Sequence, residues 1–147
     1  MNEHKFLKQA VALMAFNETN DSYLMVTRKN NRDDFGFPGG KKEDFDLDLE
    51  LALKRELFEE TGHSFKNNKF PIRLVTFSVD GEWDTTFFLC SYSDLVKTTE
   101  APEKDLISVV WKTQEQILEN KGGCFHRAHL KLFNEYGNLI PLLLSTF

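Results

Sequence analysis

The sequence predicts an α/β protein, a mixed β-sheet sandwiched by helices in an α/β/α arrangement around one long central helix. Three observations carry this. Apolar runs of strand length recur on both sides of residues 47–61. Residues 47–61 carry the longest helical pattern, flanked by start and stop residues. A proline and two glycines in "FGFPGGK" separate that helix from the first strands. The 147 residues match the size of one domain with one core, so residues 1–147 are expected to form a single domain.

In chain order, "QAVALMAF" and "SYLMVTR" read as strands joined by "NETND", which is turn chemistry, so a hairpin is expected. "KNNRDD" reads as a polar loop and "FGFPGGK" as irregular. The central helix runs from about Leu47 to Thr61, capped by Asp46 or Asp48 and stopped at Gly62. "IRLVTFSV" and "TTFFLCSY" follow as strands around "DGEWD", and "LISVVWK" as another. Thr113 to Gln116, "TQEQ", spells a capping box that opens a short helix. After "KGG", a last helix from about His126 to Tyr136 turns Leu130 and Phe133 inward.

The net charge of −5 argues against nonspecific binding to nucleic acid, which wants a basic face. It leaves a phosphorylated substrate open, because bound metal reverses the local sign. Cys90 and Cys124 form no ligand spacing, and a reduced, cytoplasmic setting is the simplest reading. "AVALMAF" after His4, Lys5 and Lys8 faintly resembles a signal peptide, but polar "NETNDS" follows without a convincing cleavage site. No stretch reaches transmembrane length, so no membrane partner is expected.

The chemistry concentrates in "KRELFEETG", Lys54 to Gly62. Glu56, Glu59 and Glu60 stand at i, i+3 and i+4, so their carboxylates share one helical face. At ~5 Å each pair repels by roughly 0.8 kcal/mol in bulk water and about 3 kcal/mol at an effective dielectric near 20. On an open surface that is tolerable; in a cleft it calls for a cation or raised pKa values. The glycine-rich loop upstream offers bare backbone carbonyls beside these carboxylates. Oxygen-only ligation of that kind suits Mg²⁺ or Mn²⁺.

With "FPGGKKEDFDLDLELALKRELFEETG" in view, the sequence resembles the Nudix hydrolases, whose signature is G-x5-E-x7-R-E-U-x-E-E-x-G-U, with U apolar. Gly40 opens it, and Arg55, Glu56, Leu57, Glu59, Glu60 and Gly62 match in register. The likeness extends from "AVALMAF" through "VTR" to "VVWK". Gly40 to Arg55 is one residue longer than the pattern, which puts Leu47 where the first glutamate belongs; Asp46 takes that place if one residue bulges. In that arrangement Asp46 acts on Arg55 or through a water, and Leu47 packs inward beside Leu51. His63 stands at the last apolar position.

The resemblance implies a Nudix-like fold with residues 47–61 as its catalytic helix. It also implies a metal-dependent hydrolase that cleaves the pyrophosphate linkage of a nucleoside diphosphate joined to another group, by water attack at phosphorus. A pyrophosphate bridge is highly anionic, and metal neutralises it and aligns the attacking water. By the family pattern Glu56 and Glu60 bind metal directly, Glu59 assists, the Gly39 carbonyl adds a ligand and Arg55 orients Glu56. Arg28 and Lys41 are the candidate substrate contacts, though Arg28 reads equally as a strand-end arginine in solvent. Glu103, with Glu100 and Asp105 as rivals, is the candidate distal ligand or general base.

Trp83 reads as a core-edge tryptophan more readily than as a base-stacking one, and Asp80, Glu82 and Asp84 as turn residues. His126 and His129 read as surface-helix residues, since no third zinc ligand is near. Against the hydrolase stand a catalytically silent nucleotide-binding module and a diphosphate isomerase. The three glutamates favour the first over the module, and neither cysteine sits where an isomerase would want one. The expected partner is a small nucleotide-type substrate, with a capped RNA end and a homodimer left open.

Overall fold

The computed structural model describes residues 8–28, 31–78, 81–98, 107–120 and 126–146. Nine strands and four helices follow along the chain among them: β1 Lys8–Asn17, β2 Ser22–Arg28, β3 Asn31–Gly36, β4 Gly39–Lys41, α1 Leu49–Thr61, β5 His63–Phe65, β6 Ile72–Ser78, β7 Trp83–Ser91, β8 Leu95–Lys97, β9 Ile107–Thr113, α2 Gln114–Glu119, α3 His126–Tyr136 and α4 Ile140–Thr146.

The main sheet runs β3-β2-β1-β7-β6, with β4 also paired to β1 and β9 to β2. β1 and β7 are parallel along Lys8↔Trp83 to Phe16↔Ser91, and the other ladders of this sheet are antiparallel. The expected hairpin forms, but β1 and β2 share only the pairs Phe16↔Tyr23 and Asn17↔Ser22. Beyond them the strands diverge. β1 takes β4 on that side, through Val11↔Gly40 and Ala12↔Gly39, while β2 takes β3, through Val26↔Gly36 and Thr27↔Phe35, and pairs with β9 along its other edge. That divergence brings the glycine segment onto the sheet.

Both faces are covered, which is why β1 and β7 read as unbroken apolar runs. Val11, Leu13 and Ala15 of β1 and Phe88 and Cys90 of β7 pack with Ala52, Leu53 and Leu57 of α1. Ala12, Met14, Phe87 and Leu89 point the other way, toward Ile117, Leu132, Phe133 and Ile140 of α2, α3 and α4. The α/β/α sandwich expected from the sequence is therefore the observed fold. No described helix is long and apolar enough to cross a membrane.

The capping box forms as written. Thr113 Oγ1 accepts from Gln116 N at 3.2 Å, and Gln116 Oε1 accepts from Thr113 N at 2.9 Å. Other readings need correction. Of the expected loop "KNNRDD", the described part is strand: Asn31–Gly36 is β3, held by β2, and Gly39–Lys41 inside "FGFPGGK" is β4, held by β1. Polar and glycine composition hid both, because tertiary pairing overrides weak strand propensity. Short β5 and β8, paired with each other, and α4 were not anticipated. His129 is fully buried, not a surface residue, its ring edge-on to Phe37 at 4.8 Å. Leu132 fills the core where Leu130 was expected, and Phe133 is buried as expected.

His63 also has a structural role. Its Nδ1 lies 2.9 Å from Thr61 Oγ1 and its Nε2 2.9 Å from the Tyr92 hydroxyl, in a buried setting. Burial, aided by Lys97, lowers its pKa below 6.5. The unfolded chain therefore takes up a proton on His63 before the folded one does. Stability is full above pH 6.5 and declines as pH falls below it. We expect the urea midpoint of the wild type to drop between pH 7.5 and pH 5, and the His63→Val variant to show a flatter profile. At pH 7.5 that variant should be weaker by about 1 kcal/mol, for the lost partner of Tyr92.

Candidate functional site

The site is built where β4 lies against α1. Helix α1 starts at Asp48, whose Oδ1 accepts from Leu51 N at 2.8 Å. It stops at Gly62, left-handed at φ 72° and donating to the Phe58 carbonyl at 2.9 Å. Between these caps the helix aims Glu56 and Glu60 inward, and both are buried. Glu59 is partly exposed beside them.

Two glycines bring the backbone to these carboxylates for different reasons. The Gly39 N–H donates to Glu60 Oε1 at 2.8 Å, and a Cβ there would stand 2.0 Å from the Val11 carbonyl oxygen. At Gly40 a Cβ would fall 2.8 to 2.9 Å from the Glu56 carboxyl carbon and both its oxygens. Gly39 is fixed by the sheet, and Gly40 by Glu56.

Arg55 ties the cluster together. Its Nε and Nη2 grip Asp46 at 3.1 and 2.9 Å, and its Nη1 reaches Glu56 Oε1 at 2.9 Å and Glu59 Oε2 at 3.4 Å. Nη2 also donates to the Lys41 carbonyl at 3.1 Å. The planar five-donor fork is what lets one side chain hold three carboxylates and a carbonyl. Hydrogen bonding to Asp46 raises the Arg55 pKa above its ordinary value. The same bond, against an opposing effect of burial, holds the Asp46 carboxyl below the usual range. Phe45, 70% exposed, lies under the guanidinium at 5.2 Å.

The sequence reading of the loop was half right. Asp46 is turned in and acts on Arg55, with a further bond from Glu43 N at 2.9 Å. Leu47 does not pack inward: it is 87% exposed, and Leu51 beside it is 41% exposed. The extra residue is absorbed by a turn at Asp44–Phe45 that hands the core position to nothing apolar in this loop. We expect Leu47→Ala to change stability by less than about 0.5 kcal/mol. Asp46→Ala should cost on the order of 1–3 kcal/mol and lower turnover, because it strands one side of the Arg55 fork. Chemical denaturation and steady-state kinetics on the two variants check this.

Gly39, Arg55, Glu56, Glu59 and Glu60 thus come together as expected, and Lys41 joins through its carbonyl while its side chain is exposed. Gly39 meets the cluster through its N–H, which donates to Glu60 Oε1. Arg28 ends β2 and pairs with Ile107. Glu100, Glu103 and Asp105 lie outside the described residues, as do Cys124 and Asp80. Trp83 opens β7, half-buried under the Lys8 ammonium at 5.3 Å. Cys90 is buried in the core, and burial raises its thiol pKa, the reverse of an activated nucleophile.

Among the described residues no three His, Cys, Asp or Glu side chains converge in metal-holding geometry. The donor set nonetheless fits a hard divalent cation by its chemistry. Two buried carboxylates and a third beside them offer oxygen donors, and Gly40 leaves the Glu56 oxygens uncovered by any side chain of its own.

A family model described as the NUDIX domain matches residues 6–133. Solved structures share the fold. A MutT NUDIX hydrolase from Burkholderia pseudomallei is 18% identical, with a TM-score of 0.65 over 86% of this chain and 98% of that one. MutT from Methanosarcina mazei Go1 is 22% identical, with a TM-score of 0.61 over 92% and 99%. MutT from Bacillus halodurans is 26% identical, with a TM-score of 0.56 over 78% and 73%. No curated protein matches the chain in sequence.

Proposed function

The chain belongs to the NUDIX family and is a pyrophosphohydrolase of it, and on that premise we propose that it hydrolyses a nucleoside diphosphate linked to another group. The observation that carries the reading is the pairing of two buried glutamates, Glu56 and Glu60, with the glycine strand through Gly40 and Gly39. Burying carboxylates is costly, and a divalent cation beside this pair, which Gly39 N–H and Arg55 hold against the glycine strand, offsets that cost.

Glu56, Glu60 and the Gly39 carbonyl would hold Mg²⁺ or Mn²⁺, with Glu59 assisting. The bound ion supplies neutralisation of phosphate charge and a lowered pKa for water. Arg55 keeps Glu56 and Glu59 in place through Nη1 and is itself kept in place by Asp46. Arg28 and Lys41 bind substrate phosphate. In the step itself a water oxygen bonds to phosphorus, the bridging oxygen leaves with the bonding pair, and the water's proton passes to a carboxylate, for which Glu103 is the candidate. Residues 1–147 serve this chemistry as one domain in the cytoplasm.

The test is a metal-supplemented panel of damaged nucleoside triphosphates, ADP-ribose, dinucleoside polyphosphates, nucleotide sugars and capped RNA, run in ¹⁸O-water with mass spectrometry of the products. Label on a phosphate, with a nucleoside monophosphate among the products, is the expected result. Label found only on a sugar carbon would mean glycosidic cleavage and a different enzyme.

A further inference from the structure

On the far side of α1 from the glutamates lies a cavity of about 360 Å³, walled by Lys54 of the helix and by residues 64–70, the end of β5 and the segment that follows it. Lys54 and Glu56 are two residues apart, about 200° around the helix, so the cavity and the glutamates are separated by α1 itself. Its floor and rim are set by a tight turn. Lys69 N donates to the Lys66 carbonyl at 3.0 Å, and Asn68 takes a left-handed φ of 62°, a conformation asparagine tolerates better than most residues. Lys66 N anchors the turn to the Asp94 carbonyl at 2.8 Å.

The lining is unusual for a chain of net charge −5. Lys54, Lys66 and Lys69 all line one concavity, and its described lining residues include no carboxylate. Lys69 is ion-paired at 3.9 Å with Asp94, which stands outside that lining. Three lysines around one recess give it a positive field that favours an anion. Asn67 and Asn68 add amides that both donate and accept. Phe70, 74% exposed, presents a bare ring at the edge. An exposed ring alone is ordinary. Beside three ammoniums and two amides, it completes what a nucleotide requires: a seat for phosphate, partners for a base edge and a face on which the base can lie. The volume suits a small ligand of that size.

We propose that this cavity is a second binding site, for a nucleoside monophosphate, with the phosphate among Lys54, Lys66 and Lys69 and the base on Phe70. It requires no divalent cation and no contribution from Glu56, Glu59 or Glu60, so it goes beyond the hydrolytic reading and can stand or fall separately.

The test uses the full chain in EDTA with AMP and inorganic phosphate as probes, followed by calorimetry and ¹H–¹⁵N NMR. Expected are AMP-induced shifts at residue 54 and within 64–70, retained in Glu60→Gln. Lys54→Glu combined with Lys66→Glu should weaken AMP about tenfold or more, with a steep salt dependence. Phe70→Ala should weaken AMP and leave inorganic phosphate unchanged. Thermal melting of each variant confirms its fold, and the wild-type shift map reads the site without any variant. Absence of shifts at these residues with millimolar AMP would overturn the proposal. So would AMP binding that Glu60→Gln abolishes, or an oligoadenylate that binds where AMP does not.

Discussion

Glu60→Gln is expected to cut turnover by at least ~10²-fold and to leave the fold intact. Glutamine keeps the side-chain oxygen that accepts from Gly39 N at 2.8 Å, so β4 stays fastened to α1. What disappears is one negative charge, from a helical face where three carboxylates sit within one turn. Losing it relieves repulsion and removes a seat for the cation in the same step. Stability should therefore be equal or better while activity collapses. Glu56→Gln should lose activity as well, and with some added disorder of Arg55, whose Nη1 bonds Glu56 Oε1 at 2.9 Å. Turnover with Mg²⁺ and Mn²⁺ together with thermal melting decides it. Activity surviving in both variants would remove this cluster from the chemistry.

The two neighbouring glycines should fail in opposite ways when changed to alanine. At Gly39 the new methyl meets the Val11 carbonyl oxygen at 2.0 Å and Ala12 Cα at 2.8 Å, which is backbone that cannot rotate away. Gly39→Ala must push β4 off β1, and we expect a loss at or above the ~3 kcal/mol end of the overpacking range. At Gly40 the obstacle is the Glu56 carboxyl group, the far end of a flexible side chain. Glu56 can swing aside, so Gly40→Ala should melt near the wild type and yet lose most of its activity. Melting curves and kinetics of the pair separate the two. A Gly40→Ala protein with wild-type turnover would mean that the Glu56 position seen here is not the working one.

Much of this is legible in the sequence. The helix carrying Glu56, Glu59 and Glu60 is announced by a helical pattern between Asp46 or Asp48, of which Asp48 is the cap, and Gly62, and the Thr113 capping box forms as the sequence spells it. Strands on both sides of that long helix imply a mixed sheet sandwiched by helices. The misses share a cause. β3 and β4 are made of residues with little intrinsic wish to be strands, and only their pairing with β2 and β1 makes them so. The period of a sequence cannot report a neighbour of that kind.

The insertion before α1 shows the same limit at single-residue scale. Counting back from Arg55 puts Leu47 in the place of the missing glutamate, with Asp46 there only if one residue bulges, and Arg55 meets Asp46. Counting could not show that Leu47 would be left outside, because that depends on how the turn at Asp44–Phe45 disposes of the extra residue. His129 was misjudged because a lone histidine on a helix gives no sign of an aromatic core waiting for it. Gly40 was known to be a signature glycine, but the atom it makes room for appears only when the strand and helix are brought together.

The parallel pairing of β1 with β7 bears on how the chain reaches its native state. Lys8 meets Trp83, a separation of 83 − 8 = 75 residues, whereas Gly39 and Glu60 are 21 apart. Loop closure grows costlier with separation, and folding slows as the mean separation of contacts rises. The glutamate helix and its glycine strand can find each other early and locally. One edge of the strand on which they come to rest can be met early by β2 and β4, but the other has no partner until residues 83–91 have been synthesised and have left the ribosome. During synthesis β1 is thus an apolar ribbon with one open edge, exposed to chaperones and to self-association.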